Sequence, residues 1–201
     1  MPSEEFQFGD TRADLRLRIE QLLQRKEAAS VDRWTELGPA ARGLLVEMLD
    51  DEALRLREAM FQRLISVLGL LTVKRSIAPL SAILADGSTR NVTRAFAANA
   101  LGRIGDGAAL DALVAAATVR DDMIRRQVAM ALGRIDREAV IPHLMRLGND
   151  KSIAVAEIAS EALERWEENV GQRLGAKRTV AQTKPGQREK PTIKRLPAEE
   201  Y

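Results

Sequence analysis

One short run of residues recurs along this chain, and its recurrence restricts the fold more than any other property of the sequence. Residues 100–106 read Ala-Leu-Gly-Arg-Ile-Gly-Asp, and residues 131–136 read Ala-Leu-Gly-Arg-Ile-Asp. The aligned leucines, separated by 31, 33, 31 and 31 residues, are Leu37, Leu68, Leu101, Leu132 and Leu163. A nearly constant period of this length is typical of stacked supersecondary units. These five leucines are the anchors of the repeat.

Further columns of the alignment predict two helices in each unit. A second leucine stands twelve residues after each of the first four anchors, at Leu49, Leu80, Leu113 and Leu144. Apolar residues also stand one and four residues before the later anchors, which is the spacing of one helix face. We therefore expect a B helix that ends at the anchor and, after a turn, an A helix that carries the second leucine. A glycine follows each of the first four anchors and is expected to end the B helix in a left-handed conformation.

Turn and cap residues complete the repeat. The 33-residue spacing places two extra residues within 85–91, and the sequence Ala-Asp-Gly-Ser-Thr-Arg-Asn has the composition of a turn. Pro79 and Pro142 fall inside the predicted A helices and are expected to kink or shorten them. The predicted N-caps of the four B helices are Asp50, Ser88, Asp121 and Ser152.

Composition agrees with an aliphatic helical protein. Of the 201 residues, 45% are hydrophobic and only 3% are aromatic, so the core is predicted to consist of Leu, Ile, Val and Ala. The absence of Cys excludes disulfides and thiolate metal ligands. The acidic start has no apolar segment of the kind that signal peptides carry, and no apolar run is long enough to span a membrane. A cytoplasmic protein is the resulting expectation.

Three regions are predicted from the pattern and the charge. Residues 1–10 form a disordered lead-in, 11–170 form the repeat domain, and 171–201 form a disordered basic tail. The domain begins with an N-terminal helical cap, because apolar residues of 11–23 recur at three- and four-residue steps. The tail carries eight Lys/Arg and three Glu, hence a charge of +5, whereas the rest of the chain carries −3.

The repeat resembles a known family. Residues 98–106 and 124–136 are similar to the short HEAT-like repeats first associated with bilin lyases. The resemblance implies an all-α, right-handed α-solenoid of about four HEAT-like helical hairpins, with B helices lining a concave binding surface. It also implies that four residues make hydrogen bonds between neighbouring units, namely Arg94, Arg125, Asp106 and Asp136. Proteins with this fold have many unrelated functions, so the fold alone does not give this one.

A second arginine column suggests a binding surface. Arg103, Arg134 and Arg165 each lie two residues after an anchor. One interpretation is that each cation stabilises the C-terminus of its helix. The alternative is a partner-binding patch, because this position lies on the arc opposite the core, where exposed Met is also predicted. The hypothesised patch consists of Asn99, Arg103, Met123, Arg126, Met130, Arg134 and Arg165, with Glu157 and Glu161 on the same arc.

Signals for catalysis, metals and cofactors are weak in this sequence. His143 is the only His, so no pair of His can bind a metal, and no cofactor is predicted. The deoxyhypusine hydroxylases, an enzyme class built on HEAT repeats, need His-Glu pairs for iron, and this sequence lacks them. The glycines of 102–107 follow a predicted helix rather than a strand, which argues against a dinucleotide-binding loop. Asp50-Asp51 and Asp121-Asp122 are interpreted as helix caps.

The sequence therefore predicts a non-enzymatic scaffold, adaptor or regulatory subunit that binds a protein partner on the B-helix side. Two alternatives remain open. The first is weak nucleic-acid contact through 171–201, which salt would abolish. The second is a bilin-lyase-like subunit that carries a prosthetic group, which a co-purified pigment would reveal. Trp166 is predicted to close the far end of the repeats with its ring packed inward.

Overall fold

The structure, a computed structural model, describes residues 11–25 and 29–181, with side chains described as far as Asn169. Within these ranges there are eleven α-helices and no strand. The helices are α1 Arg12–Gln24, α2 Val31–Glu36, α3 Gly38–Glu47, α4 Glu52–Leu56, α5 Glu58–Leu70, α6 Ile77–Ala85, α7 Asn91–Ile104, α8 Leu110–Ala116, α9 Asp122–Leu132, α10 Ile141–Gly148 and α11 Ile153–Ala181.

The helices form the predicted repeat of alternating B and A helices. The B helices are α5, α7, α9 and α11, and the A helices are α6, α8 and α10. Helix α7 packs between α5 and α9, while α6 packs on α7 and α8, and α8 on α9. A short 3-10 turn precedes each of these three A helices, at Lys74–Ser76, Gly107–Ala109 and Glu138–Val140. The chain is an all-α solenoid of helical hairpins, as the sequence predicted.

Both leucine columns lie in the core. Leu68, Leu101 and Leu132 are fully buried, Leu37 is buried, and Leu163 of α11 is partly buried against the same cluster. The second column, formed by Leu49, Leu80, Leu113 and Leu144, is fully buried throughout. Burying one such leucine contributes about 1.5–3 kcal/mol, so the recurring leucines are a major stabilising term.

Gly38 follows the first anchor, just after the end of α2, and has the predicted left-handed backbone with a φ of 76°, whereas the glycines after the next three anchors have a different role. Gly69 and Gly102 lie inside their helices, and Gly133 caps α9 with an ordinary right-handed backbone. The left-handed C-cap of α7 is Gly105 instead, with a φ of 67°. The left-handed prediction is wrong at Gly69 and Gly102 because α5 and α7 continue past their anchors, and at Gly133 because α9 ends there in a right-handed conformation. What these three glycines provide is room for the next B helix.

The surroundings of these glycines show that role directly. A β-carbon on Gly69 would lie 2.9 Å from the β-carbon of Ala100. The corresponding distances are 2.6 Å for Gly102 to Ala131 and 2.6 Å for Gly133 to Ala162. Each alanine stands one residue before an anchor, and each glycine stands one residue after. A B helix therefore contacts the preceding B helix through its alanine and the following B helix through its glycine.

The predicted caps and prolines are only partly correct. Asp121 caps α9 by accepting a hydrogen bond from the Ile124 N–H at 3.0 Å. The carboxylate of Asp51, rather than that of Asp50, caps α4, and Ser88 hydrogen-bonds to Asp86 inside the 86–90 turn. Pro142 and Pro79 lie in the first turns of α10 and α6, where a missing N–H costs little, so they begin these helices instead of kinking them.

The N-terminal helices cover the first repeat, as expected of a cap. Helix α1 packs against α3 and α5, and it buries Leu15, Ile19 and Leu23. Arg63 of α5 donates a hydrogen bond to the carbonyl of Leu23 at 2.7 Å, which satisfies an acceptor near the end of α1. Trp34, which the leucine pattern did not single out, is the buried residue of α2.

The chain divides into two compact units, Met1–Trp166 and Glu167–Tyr201. The described part of the second unit is the helical backbone of 167–181, so the helix continues past residue 171, where the basic tail was predicted to begin. The lead-in at 1–10 and the segment 182–201 lie outside the described residues. Within the described part of the chain, no helix combines the length and the apolar character needed to cross a membrane.

Candidate partner-binding site

The solvent-facing side of α7, α9 and α11 is the candidate site, and we call it the B-helix face. It lies opposite the buried anchors of these helices, and the glycine–alanine contacts join the neighbouring B helices. Helices normally pack with axes about 8–10 Å apart, and small residues at the contact favour the short end of that range. Equivalent positions on successive B helices are therefore close neighbours.

The arginine column lies on this face as one group. Arg103, Arg134 and Arg165 are all exposed. Partial burial, together with the positive charges of Arg103 and Arg165, holds the pKa of Arg134 below its ordinary value. The central guanidinium thus experiences a positive electrostatic potential from its neighbours on both adjoining helices.

No carboxylate neutralises the first two members of the column within the described part of the chain. Arg103 and Arg134 form no ion pair or side-chain hydrogen bond there, and Arg165 donates to the carbonyl of Glu161 in its own helix at 3.2 Å. Other cations of this chain are paired, such as Arg90 with Glu58 and Lys74 with Asp106. In the isolated protein, these unpaired like charges are less stable than an arrangement in which each arginine has a carboxylate partner.

The helix-terminus interpretation does not account for the whole column. Arg103 does lie in the last turn of α7, and Arg134 directly follows the C-cap of α9. Arg165, however, lies in the interior of α11, which runs on to Ala181. A favourable interaction with the helix dipole is confined to the last turn, so it cannot explain a cation there.

Apolar side chains occupy the other end of the B-helix face, toward the helix N-termini. Met123 of α9 is 38% exposed, and Met130 is half-buried. Two residues of α7 that the sequence analysis missed, Val92 at 37% and Phe96 at 38%, are exposed as well. Val92 stands nine residues before its anchor, as Met123 does, so the rule that selected Met123 could have found it.

The remaining predicted residues of the face differ in their roles. Asn99 is half-buried, and its side-chain amide donates to the Gln127 side chain at 2.8 Å, joining α7 to α9. Arg126 is exposed on α9, and Glu157 and Glu161 are exposed on α11. Asn99 therefore acts between helices, whereas Arg126 is available at the surface.

Arg125 makes the most extensive contacts of the four residues expected to act between units. Its Nε and Nη2 donate to the two carboxylate oxygens of Asp150 at 2.7 and 2.8 Å, and its Nη1 donates to the carbonyls of Val119 and Arg120. The side chain is buried, and the hydrogen bonds hold the pKa of Asp150 below its ordinary value. The guanidinium connects the loop before α9 to the loop before α11.

The other three residues of that group have simpler surroundings. Arg94 donates to the carbonyl of Leu84 at 2.9 Å, near the C-terminus of the adjacent α6. Asp106 accepts a hydrogen bond from the Ala108 N–H and forms a 3.0 Å ion pair with Lys74 of the preceding repeat, and these contacts lower its pKa. Asp136 is exposed.

Cavities and potential ligand groups lie away from the B-helix face. A cavity of about 510 Å³ opens where the α4–α5 junction meets the turn before α7, with Leu56, Phe61 and Ile83 in its lining. His143 is half-buried near the start of α10. Among the residues with described side chains, no three His, Cys, Asp or Glu groups converge as a metal site would require.

Part of this chain matches a known family of helical repeats. The HEAT-repeat family matches residues 77–164, which run from the start of α6 into α11. Residues 77–164 are therefore similar to HEAT repeats. They contain two arginines of the column, the Gly102–Ala131 and Gly133–Ala162 contacts, and the Arg125–Asp150 pair. No curated protein matches the sequence.

Solved structures agree with the HEAT-repeat assignment. Human deoxyhypusine hydroxylase in complex with glycerol is 27% identical, with a TM-score of 0.56 over 78% of this chain. The chain spans 55% of the length of that hydroxylase. A computationally designed armadillo repeat protein for modular peptide recognition is 18% identical, with a TM-score of 0.55 over 76% of this chain and 85% of that one.

Proposed function

We propose that this protein is a non-enzymatic interaction scaffold that binds a protein partner on the B-helix face. The observation that carries the proposal is the column of Arg103, Arg134 and Arg165 on three successive B helices, of which the first two have no carboxylate partner among the described residues. Exposed Phe96 and Met123 lie toward the other end of the same face. Placing like charges together costs stability in the isolated protein, and a partner that supplies the opposite charge recovers that free energy.

The apolar end of the face supports binding of a protein rather than of a simple ion. Exposed Val92, Phe96 and Met123 offer an aromatic and flexible aliphatic surface of the kind that is enriched in interfaces. The similar designed armadillo protein is described as made for modular peptide recognition. A stacked helical repeat of this kind offers an extended row of equivalent positions to such a partner.

Charge reversal on the face tests the proposal. The double variant Arg126→Glu and Arg134→Glu is compared with wild type and with Arg146→Glu, a single reversal at an exposed position of α10. Each protein is immobilised, and partners retained from the native lysate are identified by mass spectrometry and re-measured as purified proteins. We expect the double variant to lose a partner that wild type and Arg146→Glu both retain, with helical circular dichroism and melting unchanged.

Retention of every partner by the double variant would refute a role of this face. The similar human hydroxylase is an enzyme, so each purified partner is also incubated with the protein and analysed by intact mass. A stoichiometric mass change in the partner would refute the non-enzymatic part of the proposal.

A further inference from the structure

We propose that the occupant of the B-helix face is an extended, acidic peptide segment that crosses α7, α9 and α11 and presents one carboxylate to each arginine of the column. This inference rests on the proposed function, because it names the chemistry of the partner bound there. It goes beyond that function in specifying the conformation and the residue spacing of the bound segment.

The spacing follows from the packing of the helices. Close contacts of Gly102 with Ala131 and of Gly133 with Ala162 fix neighbouring B helices near the usual interaxial distance of about 8–10 Å. A polyproline II segment rises about 3.1 Å per residue with three residues per turn, so every third side chain points the same way about 9 Å further on. An acidic residue at every third position therefore matches the repeat of the column.

The charge distribution selects an acidic segment. Arg103 and Arg134 lack a carboxylate partner among the described residues, and both side chains are exposed. A carboxylate placed against each guanidinium accepts charge-assisted hydrogen bonds from it and offsets the repulsion between neighbouring guanidiniums. The carboxylates of Glu157 and Glu161 lie on α11 of the same face, so the first two arginines are the stronger positions for an acidic ligand.

The apolar end of the face accounts for the other positions of the segment. A threefold helix has three rows of side chains, so when the acidic row faces the arginines a second row faces the exposed Phe96, which lies two helical turns before Arg103 on α7. Apolar residues, proline included, suit that row because they bury against exposed aliphatic and aromatic carbon without an unsatisfied polar group. The expected motif is thus an acidic residue, an apolar residue and any residue, repeated three times or more.

A synthetic peptide tests this directly with the full-length protein. The probe is a fluorescein-labelled peptide of about twelve residues with Glu at every third position and Val or Pro beside each Glu. The control peptide has the same composition with its Glu residues consecutive. Fluorescence anisotropy is measured at about 50 mM and about 200 mM salt, because screening of surface charges becomes strong in this range.

We expect the spaced peptide to bind wild type, with an affinity that falls as salt increases and at least about tenfold more tightly than the clustered peptide. Arg134→Glu should weaken binding about tenfold or more, Arg134→Lys should retain part of it, and Arg146→Glu should leave it unchanged. Circular dichroism establishes that each variant is folded.

Three results would overturn the inference. These are no binding of the spaced peptide to wild type at low salt, equal binding of the clustered peptide, and tighter binding of an oligothymidylate through the same arginine. If any of them occurs while the double variant Arg126→Glu, Arg134→Glu still loses its partner, the face binds a partner of different chemistry. If the double variant also retains every partner, the proposed function itself fails.

Discussion

Gly102 and Ala131 are in direct contact across α7 and α9, so close that a β-carbon on Gly102 would stand 2.6 Å from the β-carbon of Ala131. Real β-carbons essentially never approach this closely, so no larger residue fits at position 102 unless the two helices separate. The same pairing recurs between Gly133 and Ala162. These contacts define the distance between B helices, and through it the spacing of the arginine column on their outer face.

Gly102→Ala should destabilise the protein although alanine is the better helix former. Overpacking of a closely packed contact costs about 1–3 kcal/mol, which exceeds the roughly 1 kcal/mol gained by replacing a helical glycine. The matched control is Gly43→Ala in α3, where an added β-carbon meets no atom within 4 Å and a gain in stability is expected. Urea unfolding followed by circular dichroism measures both. A stabilised Gly102→Ala variant would contradict the close contact.

Leu132→Ala should lower the free energy of unfolding by about 2–5 kcal/mol, because the side chain is fully buried and its removal leaves a cavity. Leu132→Asp, and equally Leu101→Asp, should unfold the protein, since an unpaired carboxylate would be buried. The control is Leu56→Ala at a side chain that is 87% exposed, with an expected change within about 0.5 kcal/mol. Thermal melting distinguishes these cases, and equal losses for Leu132→Ala and Leu56→Ala would refute the assigned core.

Asp150→Asn should destabilise the protein by about 3 kcal/mol at neutral pH, because it leaves the buried guanidinium of Arg125 without its counter-charge. Hydrogen bonds from Arg125 hold the pKa of Asp150 below its ordinary 3.8 in the folded protein. The stability from this pair is therefore complete above the unfolded pKa of about 3.9 and is lost as the pH falls through the lower folded value.

The difference in stability between wild type and Asp150→Asn should accordingly narrow as the pH falls below about 4. Other carboxylates with lowered pKa contribute equally to both proteins and cancel in the difference; they are Asp14, Asp51, Asp86 and Asp106. Urea unfolding of both proteins at a series of pH values provides the measurement. A difference that stays constant down to pH about 2 would show that the pair does not titrate as described.

The sequence was sufficient for the architecture because burial is periodic. The period alone identifies Leu101, Leu132 and the leucines twelve residues after them. Their side chains are buried in any stack of such hairpins, as they are here. The insertion at 85–91 was likewise readable, since Asp86–Arg90 is the loop between α6 and α7. The local period of apolar residues identifies the buried side of a helix without any information about the neighbouring unit.

Features that depend on the neighbouring unit were the ones that the sequence did not reveal. Gly102 is of the residue type that usually ends a helix, and only the approach of Ala131 explains why the helix continues through it. Asn99 was expected to be free for a partner, but its bond to Gln127 depends on the register between α7 and α9. Phe96 was overlooked because it stands five residues before its anchor, which is not among the positions used to define the face, although its side chain is 38% exposed.

Site-specific photo-cross-linking tests the central claim, that a partner occupies the B-helix face, most directly. A photoreactive phenylalanine analogue replaces Phe96 of α7 in one variant and Arg146 of α10 in another, both at exposed positions. After irradiation of cells that express each variant, the account predicts a discrete protein adduct from position 96 that is absent from position 146. Adducts of equal yield from both positions, or an adduct from position 146 alone, would contradict it.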